Sequence, residues 1–321
     1  MKVIRPKQPG GPELLALEEV PTPTPGPCEA LVRVEAAGVN YVDVYHRTGL
    51  YPLPLPMLIG LEGAGIVEQV GNAVNDVRVG DRVAWCGVQG SYASYVVAPA
   101  ERLVPVPDGI DTNTAAALML QGLTAHYLTQ STFPLRAGQV VLLHAAAGGV
   151  GLLVVQLAKR AGAQVIGTVS TPAKAALAKD AGADHIINYQ DGDFVAEAKS
   201  LTKGRGVDVV YDSVGKTTFD KSLECLAPRG YLVLFGQASG PVGPFDLARL
   251  MKGSYFITRP TLIHHTATRA ELLARANDLF GMVAAGTLHI RIDRKVPLAN
   301  AADAHRVLTG RETSGKVLLI P

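Results

Sequence analysis

His144-Ala145-Ala146-Ala147-Gly148-Gly149-Val150-Gly151 stands between the apolar run Val140–Leu143 and the pattern Leu152-Leu153-Val154-Val155-Gln156-Leu157-Ala158-Lys159, so a glycine-rich turn joins a buried strand to a helix. Small residues let backbone N–H groups approach phosphate oxygens, and the helix that follows offers unpaired N–H groups and a partial positive charge to an anion. The turn reads Ala146-x-Gly148-x-x-Gly151, one alanine short of the dinucleotide fingerprint, and a second strand at Gln164–Val169 supplies the context that fingerprint demands. The spacing predicts a pyrophosphate site at Ala147, Gly148, Gly149 and Val150. A tight turn without a ligand is the alternative.

The second strand runs Ile166-Gly167-Thr168-Val169 into Ser170-Thr171-Pro172-Ala173-Lys174. NAD-selective sites end this strand with Asp or Glu on the ribose hydroxyls, and here no carboxylate is present to repel a 2′-phosphate. Lys174 reaches back from the first turn of the next helix, and Ser170 and Thr171 add hydroxyl and N–H donors. NADPH is the expected cofactor, against the alternative of Lys174 as a solvated helix residue.

The elements that position these residues fall into two regimes. Up to about Ala100, short strand-like runs (Ala30–Ala37, Gly63–Val70, Tyr92–Ala98) alternate with Pro/Gly turns, as in a β-barrel. From Val140, apolar strands alternate with helical patterns at Val140–Leu143, Gln164–Val169, His185–Asn188, Val207–Tyr211, Tyr231–Phe235 and Tyr255–Thr258, the signature of a doubly wound parallel sheet. A helix at about Thr112–Leu128 bridges the two regimes. A helix near Arg269–Ala285 and a terminal strand Lys316–Ile320 fold back on the first domain. Residues 1–122 with 262–321 are therefore expected to form one domain and 123–261 the other. Substrate is expected in the cleft between them, because the cofactor lies at the carboxyl ends of the sheet strands.

Composition excludes several classes. The 321 residues are 48% hydrophobic and 18% charged, a balance for a compact chain rather than a disordered one. The 30 basic and 28 acidic residues are interspersed, so no nucleic-acid partner is expected. No long apolar segment points to a leader or a membrane span, and the cytoplasm is the expected compartment. Cys28, Cys86 and Cys225 lack metal or dithiol spacing and read as buried, reduced thiols.

Taken together with Gly80-Asp81-Arg82-Val83, Asn188-Tyr189 and Tyr211-Asp212-Ser213-Val214-Gly215, the glycine turn resembles the medium-chain dehydrogenase/reductase superfamily, nearest its zinc-independent NADPH:quinone oxidoreductases, relatives of zeta-crystallin. The resemblance covers essentially the whole chain. It implies an α/β fold, a Rossmann-type doubly wound parallel sheet plus a GroES-like β-barrel catalytic domain. Where zinc dehydrogenases of the superfamily place a ligand Cys and a ligand His, this chain has Asn40 and Leu61, and neither replaces a thiolate or an imidazole on Zn²⁺. No metal is expected.

By the same resemblance Asn40, Tyr45 and Tyr51 stand near the nicotinamide and substrate, where an amide and phenols could bond a carbonyl or a developing oxyanion. Their segment, Asn40–Leu55, reads as a lip over a planar substrate, with gap-filling tyrosines as the alternative. Ser170, Lys174 and Tyr189 match positions around the 2′-phosphate, with Arg311 a second partner from the tail. Gln121 and Thr124 lie on the nicotinamide path, Ser213, Phe235 and Gly236 pass beside the ring, and Arg259 reaches the cleft or pairs at the hinge. Glu62 reads as a structural carboxylate. His264-His265, on an extended segment, would point apart and form no metal site; His144 packs at a strand end, and His126 and His305 are helix residues.

The expected activity is NADPH-dependent reduction of quinones. Reduction of enones or enoyl thioesters is the close alternative, and a non-catalytic NADPH-binding protein the distant one. The strand near Tyr255–Thr258 would leave an exposed sheet edge, and the resemblance implies a homodimer built on it.

Overall fold

The computed structural model describes residues 1–190 and 192–321. The chain divides into two compact units, Met1–Leu123 with Thr266–Pro321, and Thr124–His265.

In the first unit, β1 (Lys2–Ile4) and β2 (Leu17–Glu19) form a small ribbon, while β3 (Glu29–Val39), β4 (Glu62–Val70), β5 (Arg82–Cys86), β6 (Tyr95–Pro99) and β7 (Leu103–Pro105) build most of a larger sheet. β3 is the hub: it pairs antiparallel with β4 along one edge and, over Glu29–Arg33, with β6 along the other. Its register shifts between Val34 and Ala36 against β4, a bulge that bends the strand into a barrel wall. Gly65 is required on β4, because a Cβ there would stand 2.0 Å from the Arg33 carbonyl oxygen. The core gathers Val32, Val34, Val67, Val83, Trp85 and Leu103 inside these strands. The two-turn helix α1 (Tyr41–Arg47) follows β3, and α2 (Thr112–Tyr127) runs from this unit into the second.

The second unit is the doubly wound sheet. Its strands are β8 (Val140–Leu143), β9 (Gln164–Val169), β10 (His185–Asn188), β11 (Val207–Asp212), β12 (Leu226–Leu234) and β13 (Phe256–Thr258). All pairings are parallel, in the order β10-β9-β8-β11-β12-β13. The order reverses between β8 and β11, the switch point at which such sheets bind dinucleotides. Helices α3 (Gly149–Arg160), α4 (Pro172–Asp180), α5 (Phe194–Leu201) and α6 (Phe219–Glu224) connect them. The strand expected at Tyr231–Phe235 starts earlier, at Leu226, and ends at Leu234. At Pro228-Arg229-Gly230 the strand bulges against β11, with Arg229 at φ +64°.

His264 and His265 close the short helix α7 (Leu262–His265) instead of an extended segment, and the His265 ring stacks on Tyr127 at 4.3 Å. After α8 (Arg269–Ala284), the tail adds β14 (Ile292–Pro297), α9 (Ala301–Thr309) and β15 (Lys316–Ile320) to the first unit, where β15 pairs antiparallel with the end of β3. Cys86 and Cys225 are buried as expected, but Cys28 is exposed, since it lies in the turn before β3 rather than on the strand.

Candidate functional site

At the carboxyl end of β8 the chain turns through Ala145, held at φ +54°, and enters α3 at Gly149. A Cβ on Gly151 would lie 2.3 Å from the Ala145 carbonyl oxygen, and one on Gly167 of β9 would lie 2.7 Å from the Ala146 Cβ. The turn is thus pressed between α3 and β9, and glycine is the residue both contacts require. No side chain caps α3, whose Ncap is Gly148. Ala147, Gly148, Gly149 and Val150 therefore surround a helix N-terminus whose first N–H groups remain for an anion.

Ser170 follows β9, and Lys174 sits in the first turn of α4, its N–H donating to the Thr171 hydroxyl at 3.3 Å. Tyr189 follows β10 and donates its N–H to the Val169 carbonyl at 3.2 Å. The parallel pairing of β9 with β10 sets Ser170 and Tyr189 just beyond the carboxyl ends of neighbouring strands, with Lys174 in the helix that follows the first of them. Arg311 belongs to the first unit, on an exposed turn after α9 at φ +59°.

Ser213 lies just beyond β11. Its loop is fixed by Asp212, fully buried, whose Oδ1 accepts the N–H groups of Val214 at 2.8 Å and Gly215 at 3.0 Å. Asp212 Oδ2 accepts the Ser222 hydroxyl at 3.1 Å, and Ser222 in turn meets His144 Nε2 at 2.9 Å, while His144 Nδ1 meets Thr168 at 3.0 Å. Burial holds the His144 pKa below the usual imidazole range. A neutral imidazole thus ties the ends of β8, β9 and β11 together. Phe235-Gly236 runs against this loop: a Cβ on Gly236 would come within 2.6 Å of the Ser213 carbonyl. Arg259 donates to Gln237 Oε1 at 2.9 Å, so in this unit the guanidinium is engaged by the loop after β12.

In the first unit Asn40 is the Ncap of α1, which opens the segment Asn40–Leu55. Its N–H donates to Asp43 Oδ2 at 2.8 Å, and the same oxygen accepts the Tyr92 hydroxyl at 3.0 Å. Burial raises the Asp43 pKa to about 7. The Asn40 side chain lies in a buried polar cluster that the sequence pattern does not assemble. Its Nδ2 donates to Glu62 Oε1 at 2.9 Å, and its Oδ1 accepts from Lys316 Nζ at 3.0 Å and Gln121 Nε2 at 3.4 Å. Lys316 forms a direct ion pair with Glu62, both side chains at 1% exposure or less. Glu62 Oε2 accepts the Leu120 N–H at 2.5 Å. A single charged residue at the head of the apolar run Val317–Ile320 is the available signal for Lys316. Tyr45 and Tyr51 are brought together, ring centroids 5.2 Å apart and edge to face, with the Tyr51 N–H donating to the Tyr45 carbonyl at 3.0 Å. Thr124 is buried on α2, three residues beyond Gln121.

The zinc-binding dehydrogenase family matches residues 149–276, and the alcohol dehydrogenase GroES-like domain matches residues 26–108. The quinone oxidoreductase of Pseudomonas aeruginosa is 49% identical, with 97% of each chain covered. The chain belongs to the zinc-independent quinone oxidoreductases of the medium-chain dehydrogenase/reductase superfamily. The crystal structure of Escherichia coli quinone oxidoreductase complexed with NADPH superposes with a TM-score of 0.98 at 43% identity, all of both chains covered. A 2-haloacrylate reductase from a Burkholderia species is 44% identical over 97% of this chain and 96% of its own.

Within that family the first of the two matched descriptions implies a zinc ion, which the residues here do not fit. Leu61 offers no ligating atom, the Asn40 amide is bonded on both ends, and the Lys316 ammonium already balances Glu62. Among the described residues, no three His, Cys, Asp or Glu side chains gather where they could hold a metal ion.

Proposed function

We propose that this protein is an NADPH-dependent reductase that delivers a hydride to a quinone and works in the cytoplasm as a homodimer. The observation that carries the reading is the uncapped α3 N-terminus behind a turn so tight that Gly151 leaves no room for a Cβ. NADPH, when bound, supplies the hydride. The chain's residues bind and orient. Ala147, Gly148, Gly149 and Val150 take the pyrophosphate, and Ser170, Lys174, Tyr189 and Arg311 the 2′-phosphate. Gln121, Thr124, Ser213, Phe235 and Gly236 hold the nicotinamide end. Tyr45, Tyr51 and Arg259 serve the quinone side, where a phenol hydroxyl donates to the oxygen on which negative charge develops, while Asn40, bonded at both ends of its amide, acts there through the residues it holds.

The similarity to a 2-haloacrylate reductase supports a second reading, hydride delivery to an activated C=C bond. Anaerobic oxidation of NADPH and NADH with benzoquinone, phenanthrenequinone and 2-chloroacrylate, chelator present throughout, separates the two. NADPH turnover with a quinone upholds the first reading. Turnover with chloroacrylate alone moves the assignment to C=C reduction, and NADPH binding without turnover marks a non-catalytic protein.

The dimer reading rests on β13, which ends the six-stranded sheet. Around it Phe256 is 48%, Leu247 73%, Met251 82% and Ile263 60% exposed. An open strand edge flanked by apolar side chains is the kind of surface a second copy covers.

A further inference from the structure

His144 stands one residue past β8 and carries a chain of hydrogen bonds whose direction the Asp212 carboxylate dictates, all of it inside the second unit. A carboxylate only accepts: Asp212 takes the Val214 and Gly215 N–H groups on Oδ1 and the Thr218 and Ser222 hydroxyls, at 2.8 and 3.1 Å, on Oδ2. Ser222 has one hydrogen and gives it to Asp212, so its bond to His144 at 2.9 Å is carried by Nε2–H. In a neutral imidazole the other nitrogen accepts, and Nδ1 therefore receives the Thr168 hydroxyl at 3.0 Å. His144, Thr168, Asp212 and Ser222 are each 2% exposed or less. Two arms thus leave the ring. One reaches β9 at Thr168, two residues before Ser170. The other runs through Ser222 to Asp212, which anchors the loop beginning at Ser213 and whose carbonyl accepts the Phe235 N–H at 2.9 Å.

We propose that His144 is a positioning residue with two separable arms, one setting the strand end that leads to the 2′-phosphate site and the other the Ser213 loop that leads to the nicotinamide site. This deepens the NADPH reading and rests on it. A neutral imidazole suits the task because its two nitrogens hold opposite roles, acceptor and donor, on one rigid ring. Without the Ser222 arm, Asp212 loses the hydroxyl that fixes Oδ2 from α6, and the Val214–Gly215 turn loses a fixed anchor while β9 keeps its bond. Without the Thr168 arm, Nδ1 is left unpaired in the interior where the ring meets β9, while Asp212 keeps all four donors. The same separation can be made at the ring. The amide oxygen introduced by H144N falls near the place of Nδ1 and serves Thr168, whereas the amide nitrogen introduced by H144Q falls near that of Nε2 and serves Ser222.

The test titrates the full-length protein with NADPH and with 2′,5′-ADP, which carries only the adenosine end and is read by its displacement of NADPH. Loss of one hydrogen bond at an arm predicts about 3- to 10-fold weaker binding at the end that arm serves. S222A is expected to weaken NADPH by that factor and leave 2′,5′-ADP unchanged, whereas T168V weakens both probes alike. H144N should behave as S222A and H144Q as T168V, and H144N/S222A should bind NADPH no more weakly than H144N, since both changes cut the same arm. T168V and S222A keep the imidazole, so the inference remains testable if the His144 variants do not fold. A general loss of folding stability moves both probes together in every variant and cannot produce this selectivity between ends. Wild-type NADPH affinity in S222A, equal weakening of both probes in S222A, unchanged 2′,5′-ADP binding in T168V, or additive losses in H144N/S222A overturns the proposal. A wild type to which either probe fails to bind overturns instead the cofactor reading beneath it.

Discussion

Replacing Lys316 by methionine removes a buried ammonium and strands its partner. Glu62 is fully buried and would keep only two donors, Asn40 Nδ2 at 2.9 Å and the Leu120 N–H at 2.5 Å. Breaking a buried ion pair from one side costs about 3–5 kcal/mol, and the two surviving hydrogen bonds place this case at the lower end, about 3 kcal/mol. For a unit of this size each kcal/mol moves the melting temperature by about 2–4 °C, so Lys316→Met is expected to lower the first unit's transition by about 6–12 °C. The double variant E62Q/K316M strands no charge, and its loss is expected near 1 kcal/mol because packing is kept and only one neutral amide is re-paired. Differential scanning calorimetry of wild type, both single variants and the double variant closes a thermodynamic cycle. A Lys316→Met variant melting within about 2 °C of the wild type, or a double variant less stable than Lys316→Met, refutes the buried-pair argument.

The pH dependence of stability carries a second signature. Asp43, raised to about 7 by burial, holds its proton more tightly in the native state, so its contribution is full below the ordinary carboxylate pKa and disappears as pH rises to about 7. The shift corresponds to roughly 4 kcal/mol. His305 has the opposite sign: burial, with the Arg47 charge nearby, takes its pKa down to about 3, so its contribution is lost as pH falls below the ordinary imidazole value. Melting temperatures of wild type and Asp43→Asn between about pH 4.5 and 8.5 should converge on the acid side, with the alkaline decline flattened in the variant; parallel curves exclude Asp43 as its source. Lys174→Ala should raise the KM for NADPH about 10-fold at low salt and leave that for NADH unchanged, and an equal effect on both removes Lys174 from the phosphate site. Gly151→Ala puts a Cβ 2.3 Å from the Ala145 carbonyl and 2.8 Å from Ala146 backbone atoms, and should weaken NADPH binding by about 10-fold or more as the α3 N-terminus is pushed from the turn; unchanged binding detaches that turn from the cofactor. Phe256→Glu should halve the mass seen by light scattering, and an unchanged mass moves the dimer interface elsewhere.

What is legible in the sequence is what repeats or what chemistry forces locally. The strands Val140–Leu143, Gln164–Val169, His185–Asn188 and Lys316–Ile320 are apolar runs bounded by turn residues, and the structure gives them those limits. The glycine turn is visible because its neighbours in sequence are its neighbours in space. The Asn40 cluster is not, because its members come from the end of β3, the start of β4, α2 and β15, and nothing at position 40 announces a lysine 276 residues away. The family resemblance therefore offers Asn40 as an amide near the nicotinamide and substrate. Only the three-dimensional pairing with a donor-only ammonium and an acceptor-only carboxylate shows the amide engaged at both ends. Glu62 illustrates the same limit from the other side. Its reading as a structural carboxylate agrees with the three protein partners of its oxygens, Asn40, Lys316 and the Leu120 N–H, yet the structure gives that carboxylate a second consequence, because its charge is what prevents the Asn40 amide from turning over.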